Sequence, residues 1–139
     1  MIYVDTSVLV ALHLNEPNSQ QAERWFASCK QPMVSALWCV TEFASALGIK
    51  LRTGQISLEQ SATAWSMFER QCTNELQLIP VESRQFHEAA LLTLDSESKL
   101  RAGDSLHLAC AVGLKVNALA TFDAILALNC ERLKLKRVF

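Results

Sequence analysis

Short apolar runs alternate along this chain with longer stretches whose apolar residues recur every three or four positions, and this alternation constrains the fold more than any other feature. Ile2-Tyr3-Val4 is too brief for a helix and reads as a buried strand. Pro32–Ser35, Leu76–Val81 and Ala118–Thr121 read as further strands, and Lys134–Phe139, which contains Leu135 and Val138, as the last. Between them lie helical patterns. One runs through Val8–Leu14 after the capping oxygens of Thr6 and Ser7, and another carries Ala22, Trp25, Phe26 and Cys29. A long helix with Val40, Phe43, Ala44, Leu47 and Leu51 on its apolar side should end at Thr53-Gly54. Ser57 and Gln60 have capping-box spacing ahead of Leu58, Ala62, Trp65, Phe68 and Cys72. Ser83 should cap a helix bearing Phe86, Ala89, Ala90 and Leu94. A nearly all-buried helix is expected from Ser105 to a stop at Asn117, and a short one from Asp123 through Leu128. Strands separated by helices imply parallel pairing through crossovers. The expected fold class is therefore α/β, a three-layer α/β/α sandwich around a parallel sheet of five strands.

No repeat or linker-like shift in composition interrupts the pattern, so residues 1–139 are expected to form a single domain. With 50% hydrophobic and 19% charged residues the composition is globular, not disordered. A net charge of −1 rules out a global basic field, so any bound nucleic acid must be held by a local basic patch or through metal. The start of the chain lacks the positive region of a secretory signal, and no apolar stretch reaches the roughly 18 residues of a membrane span. The five cysteines show no Cys-x-x-Cys pairing and read as reduced, mostly buried thiols. These features point to a cytoplasmic protein with no membrane partner.

Four acidic residues stand out by position. Asp5 directly follows the first strand and Asp123 the fourth, so both belong at the carboxyl edge of a parallel sheet, where ligands bind in such folds. Asp104 lies where a helix starts, beside Gly103. Glu42 sits in a helix among Trp38, Val40 and Phe43, with no basic residue within one turn, so its compensation must come from elsewhere in the fold. Each has an ordinary reading beside the functional one: Asp5 and Asp104 as helix caps, Asp123 as a turn residue, Glu42 as a solvated charge. Capping does not exclude metal binding for the three aspartates. Four carboxylates within a few ångströms cannot all remain ionised without a counter-charge, and a hard divalent cation supplies one. Hydrolysis of a phosphodiester by metal-activated water is the reaction class that follows.

The opening Ile2-Tyr3-Val4-Asp5-Thr6-Ser7-Val8-Leu9-Val10, the segment Val40-Thr41-Glu42-Phe43, the run from Arg101 through Asp104 to Ala111, and Ala120-Thr121-Phe122-Asp123 resemble the four successive motifs of PIN-domain proteins. The resemblance is nearest to bacterial toxins of the VapC type. It implies a PIN-like fold and an endoribonuclease using Mg²⁺, with Mn²⁺ as substitute. It makes Asp5 and Asp104 the metal ligands, with Asp123 completing the site or positioning a water and Glu42 orienting or activating water. Thr6 and Thr121 would support neighbouring carboxylates. It further implies an RNA substrate, a homodimer and a cognate antitoxin. Relatives often carry another acidic residue after the last motif aspartate; here Ala124, Ile125 and Leu126 stand there.

Other residues invite functional readings that the pattern does not favour. His107, among Leu, Ala and Cys, reads as a core histidine, and His13 and His87 have no partner pattern. Lys50, Arg52, Lys99 and Arg101 flank the acidic motifs and read as solvated charges, with Arg101 the foremost candidate for a phosphate contact. Arg132, Lys134, Lys136 and Arg137 read as a solubilising edge, and Trp38, Trp65 and Phe68 as core or interface. The sequence lacks Asp-x-Asp after the first strand, a Gly-x-x-x-x-Gly-Lys loop, and an aspartate after the third strand. Those absences disfavour an aspartyl phosphatase, a P-loop enzyme and a receiver domain. The remaining rival is a PIN-like module that binds RNA or protein without cutting.

Overall fold

The computed structural model describes residues 1–139 and contains five strands and seven helices in near-strict alternation. The strands are β1 (Ile2–Val4), β2 (Met33–Ala36), β3 (Leu76–Ile79), β4 (Ala118–Ala120) and β5 (Lys136–Arg137). The helices are α1 (Thr6–His13), α2 (Ser19–Ser28), α3 (Trp38–Arg52), α4 (Leu58–Asn74), α5 (Ser83–Leu94), α6 (Ala102–Gly113) and α7 (Ala124–Arg132). All pairings are parallel, in the order β3-β2-β1-β4-β5. Register places Ile2 opposite both Met33 and Ala118, so β1 is the central strand.

Alternation along β1 decides which helices pack where. Ile2 and Val4 face a core built with α1 to α4, where Leu9, Phe43, Leu47 and Phe68 are buried. Tyr3 and its neighbour Leu119 face the opposite core, built with Leu108 of α6 and Leu126 of α7. Sheet and helices thus form the expected three layers. In the first core Phe43 and Phe68 stack with centroids 4.2 Å apart, and Trp65 flanks both.

Local chemistry explains most element ends. Ser57 and Gln60 form the reciprocal capping box at the start of α4. Gly54, just after α3, has φ +70, the left-handed conformation that stops a helix. Several boundaries differ from the sequence reading. Asp5, not Thr6 or Ser7, is the N-cap of α1, and Glu82, not Ser83, caps α5 through a box with Gln85. Helix α6 starts three residues before Ser105, at Ala102, and stops at Gly113 rather than at Asn117. Helix α7 continues past Leu128 to Arg132, and β5 keeps only two residues of the expected strand.

Cys39, Cys110 and Cys130 are buried and Cys29 and Cys72 half-buried, all as free thiols. Burial pushes the Cys39 thiol up to about 12, leaving it inert at neutral pH. No helix is long and apolar enough to cross a membrane.

Phe68→Ala should cost about 3–5 kcal/mol, because it empties one half of a buried aromatic stack. Urea denaturation measures this, and a loss below about 1 kcal/mol would contradict the packing described.

Candidate functional site

In the strand order β3-β2-β1-β4-β5 the chain leaves β1 toward one side of the sheet and β4 toward the other. The carboxyl ends of β1 and β4 therefore flank the point where the winding reverses, and a crevice opens there because the following helices diverge. Asp5 is the first residue after β1, and Asp123 caps the helix that follows β4. A crevice of about 370 Å³ is lined by both, together with Glu42 and Asp104. All four acidic residues singled out from the sequence share one cavity.

Asp5 is only 4% exposed, and its burial is met by hydrogen bonds on one side. Its Oδ2 accepts from Ser7 Oγ at 2.5 Å, Thr121 Oγ1 at 2.9 Å and the Ser7 amide at 3.3 Å. Ser7 Oγ in turn accepts the Phe122 amide, and Thr121 Oγ1 accepts the Asp123 amide, both at 2.9 Å. The β1 and β4 ends are thereby tied through one carboxylate oxygen, and Oδ1 carries no hydrogen bond. Asp123 accepts from the Leu126 amide through Oδ1 at 2.7 Å, which leaves Oδ2 free and the charge at a helix N-terminus.

The compensation that Glu42 lacks within its own helix comes from α6. His107 Nε2 lies 2.5 Å from Glu42 Oε2, and Thr6 Oγ1 donates to the same oxygen at 2.6 Å. A carboxylate only accepts, so the proton of this pair sits on Nε2. On the far side of the ring, Tyr3 OH meets Nδ1 at 2.7 Å and accepts the Ala36 amide at 3.0 Å. Burial alone would raise the Glu42 pKa, but the bond and charge of His107 and the Thr6 hydroxyl outweigh it, and the net shift is downward. Burial likewise pulls His107 down, and the bond to Glu42 with the charges of Asp5, Glu42 and Asp104 brings it above its ordinary value. The stabilisation from this pair is therefore lost at both extremes. It goes as pH falls through the lowered Glu42 pKa, and as pH rises through the raised His107 pKa.

Asp104 is left least compensated. It lies in the first turn of α6, with the exposed Arg101 guanidinium 3.9 Å away. Burial, then the charges of Asp123 and Asp5, raise its pKa. Of the other basic residues near the motifs, Lys50 pairs with Glu16, itself on the crevice wall.

His107 is in the core, as its surroundings suggested, yet it is also the counterpart of Glu42, which the sequence reading did not connect. The available signal was its spacing three residues after Asp104, which places both on one side of a helix. Ser7, read as a cap, serves instead as a bridge between β1 and β4. The oxygens left unbonded (Asp5 Oδ1, Asp123 Oδ2 and Glu42 Oε1), with the Asp104 carboxylate, are the ligand type that a hard divalent cation takes, so the donor set fits such an ion. Asp5, Glu42 and His107 also offer ligand atoms within 4.8 Å of one another, but Nε2 is committed to Glu42 as a donor.

The PIN domain family model matches residues 2–130. Among solved structures, the Mycobacterium tuberculosis sarcin–ricin loop cleaving toxin VapC20 is similar with a TM-score of 0.76 at 17% identity, over 93% of this chain and 95% of that one. FitAcB from Neisseria gonorrhoeae aligns at TM-score 0.70 and 14% identity, covering 100% of this chain and 97% of its own. VapBC2 from Rickettsia felis, bound to a promoter DNA fragment, aligns at TM-score 0.67 and 16% identity, covering 99% and 98%. These likenesses are of fold. No curated protein matches the chain by sequence.

Asp104→Asn should raise the urea midpoint of the chelated protein at pH 7. An acid whose folded pKa is raised costs stability once ionised, and the amide carries no charge. The gain should vanish as pH falls below the ordinary carboxylate range; a variant no more stable at pH 7 would show that the carboxylates do not repel.

Proposed function

Since the chain belongs to the PIN-domain family, we propose that it is a divalent-metal-dependent endoribonuclease, the toxin of a toxin–antitoxin pair. The observation that carries this reading is the meeting of Asp5, Glu42, Asp104 and Asp123 on one crevice at the reversal point of the sheet. A scaffold that only bound a partner would gain nothing from holding four repelling carboxylates together.

In this reading Asp5, Asp104 and Asp123 hold Mg²⁺, with Mn²⁺ as substitute, because oxygen donors suit both. When bound, the cation would supply Lewis-acid stabilisation for a phosphodiester and lower the pKa of a water, so that hydroxide is available to attack it. Glu42 orients that water and takes up its proton. Ser7 and Thr121 hold Asp5 in place, so the ligand set is built before substrate arrives. Arg101, exposed and 3.9 Å from Asp104, would meet an RNA phosphate.

The whole chain acts as one domain in the cytoplasm. Its partners are an RNA substrate, a cognate antitoxin and a second copy of itself. The solved relatives include a toxin-antitoxin complex from Klebsiella pneumoniae, which supports the antitoxin. Leu91 and Leu94 of α5 are 70% and 80% exposed, apolar area that a second copy would cover.

Purified protein should cleave RNA only with Mg²⁺ or Mn²⁺, and Asp5→Asn should lower the rate on the order of 100-fold or more while keeping the fold. Undiminished cleavage by that variant would defeat the catalytic assignment, and RNA bound but never cut would make the protein a binding module. Independently, Mn²⁺ at 100 times its Kd should stabilise the protein by about 2.7 kcal/mol.

A further inference from the structure

His107 is 1% exposed, yet both its ring nitrogens are engaged, and the two engagements point to opposite ends of the molecule's architecture. Nδ1 faces Tyr3, a fully buried residue of the central strand whose hydroxyl is itself held by the Ala36 amide of β2. Nε2 faces Glu42 Oε2, with Thr6 Oγ1 3.1 Å and Asp5 Oδ1 3.7 Å away. The ring cannot turn without breaking a contact to the sheet. Glu42 is gripped through Oε2 alone, and Oε1 takes no hydrogen bond.

The opposite side of the Glu42 carboxylate is closed by Gly103. A Cβ at that position would come 2.4 Å from Oε1 and 3.3 Å from Trp38 Nε1. The buried Trp38 indole N–H stands on the same side and helps hold the Glu42 carboxyl down. A glutamate side chain has three rotatable bonds, and on an open helix face its oxygens would sample many positions. Here Tyr3, His107, Thr6 and Gly103 together leave it one.

We propose that His107 is a positioning residue for Glu42: anchored on Tyr3, it holds Oε2 beside Thr6 and Asp5 at the crevice wall, while Oε1 rests against the bare backbone of Gly103. This rests on the nuclease reading of the same site. It assigns no metal ligation to His107, because Nε2 donates to the carboxylate and Nδ1 faces the sheet. The consequence for the chemistry is directional. The carboxylate is fixed in one orientation on the crevice wall, where it can orient a water.

The test uses the intact chain, with Mn²⁺ affinity from titration calorimetry and single-turnover cleavage of RNA. His107→Leu should reduce kcat by about 10–100-fold, the range found when a buried partner of a site residue is lost, with KM for RNA little changed. His107→Gln, whose amide can still donate to Oε2, should recover most of that loss. In a Glu42→Ala background the leucine substitution should have no further effect on kcat, since a positioning residue acts only through the group it positions. Gly103→Ala approaches from the other side. It should lower kcat similarly, because its Cβ displaces the Glu42 carboxylate from the position that His107 holds. If His107→Leu does not fold, Gly103→Ala carries the test alone. Additive losses in the double variant, a glutamine no better than leucine, or a fully active Gly103→Ala would overturn the positioning role. Wild-type protein that neither binds Mn²⁺ nor cuts RNA would instead overturn the nuclease reading, and the positioning role with it.

Discussion

Carboxylates repel one another, and the crevice at the end of β1 and β4 is arranged around that repulsion. Each acid is handled differently. Asp5 is hydrogen-bonded on one oxygen by Ser7 and Thr121, Asp123 sits on the N-terminus of α7, and Glu42 is matched by His107. Asp104 receives least, and its raised pKa records the remaining strain. The unbonded oxygens are donors of the type a hard divalent cation takes, and a counter-charge in the crevice would relieve the repulsion. The destabilisation is offset elsewhere, in two apolar layers packed on either face of the sheet.

The topology makes the concentration possible. Residues 5 and 123 are far apart in sequence, yet β1 and β4 are neighbours, and their ends are bonded through a serine and a threonine. The third and fourth acids ride on helices that start from the same edge. Helix α3 follows β2 and brings Glu42, and α6 precedes β4 and brings Asp104. The sheet margins lie elsewhere. β5 is a two-residue edge strand of exposed Lys136 and Arg137, a composition that discourages further strand pairing.

The alternation of elements, the central first strand's apolar run and the capping box at Ser57 were legible because each is a local pattern. Asp5 and Asp123 were legible for a related reason: both follow a strand directly, and a parallel sheet aims such residues at one edge. The link between Glu42 and His107 was not. It joins residues 65 apart in the chain, and periodicity reports which side of a helix is apolar but not which helix it meets. The same limit hid the exposed face of α5, where apolar spacing suggested burial that Phe86 and Leu94 do not have. Gly103 was visible only as a neighbour of Asp104; that it makes room for a glutamate from α3 needed three dimensions.

The central claim is that Asp5, Glu42, Asp104 and Asp123 surround one cation position. Anomalous diffraction from crystals soaked in Mn²⁺ tests it most directly. The account predicts a peak in the crevice within coordination distance of Asp5 and Asp104, with the Glu42 carboxylate still held on His107. Manganese bound elsewhere, with the crevice empty at saturating metal, would contradict it.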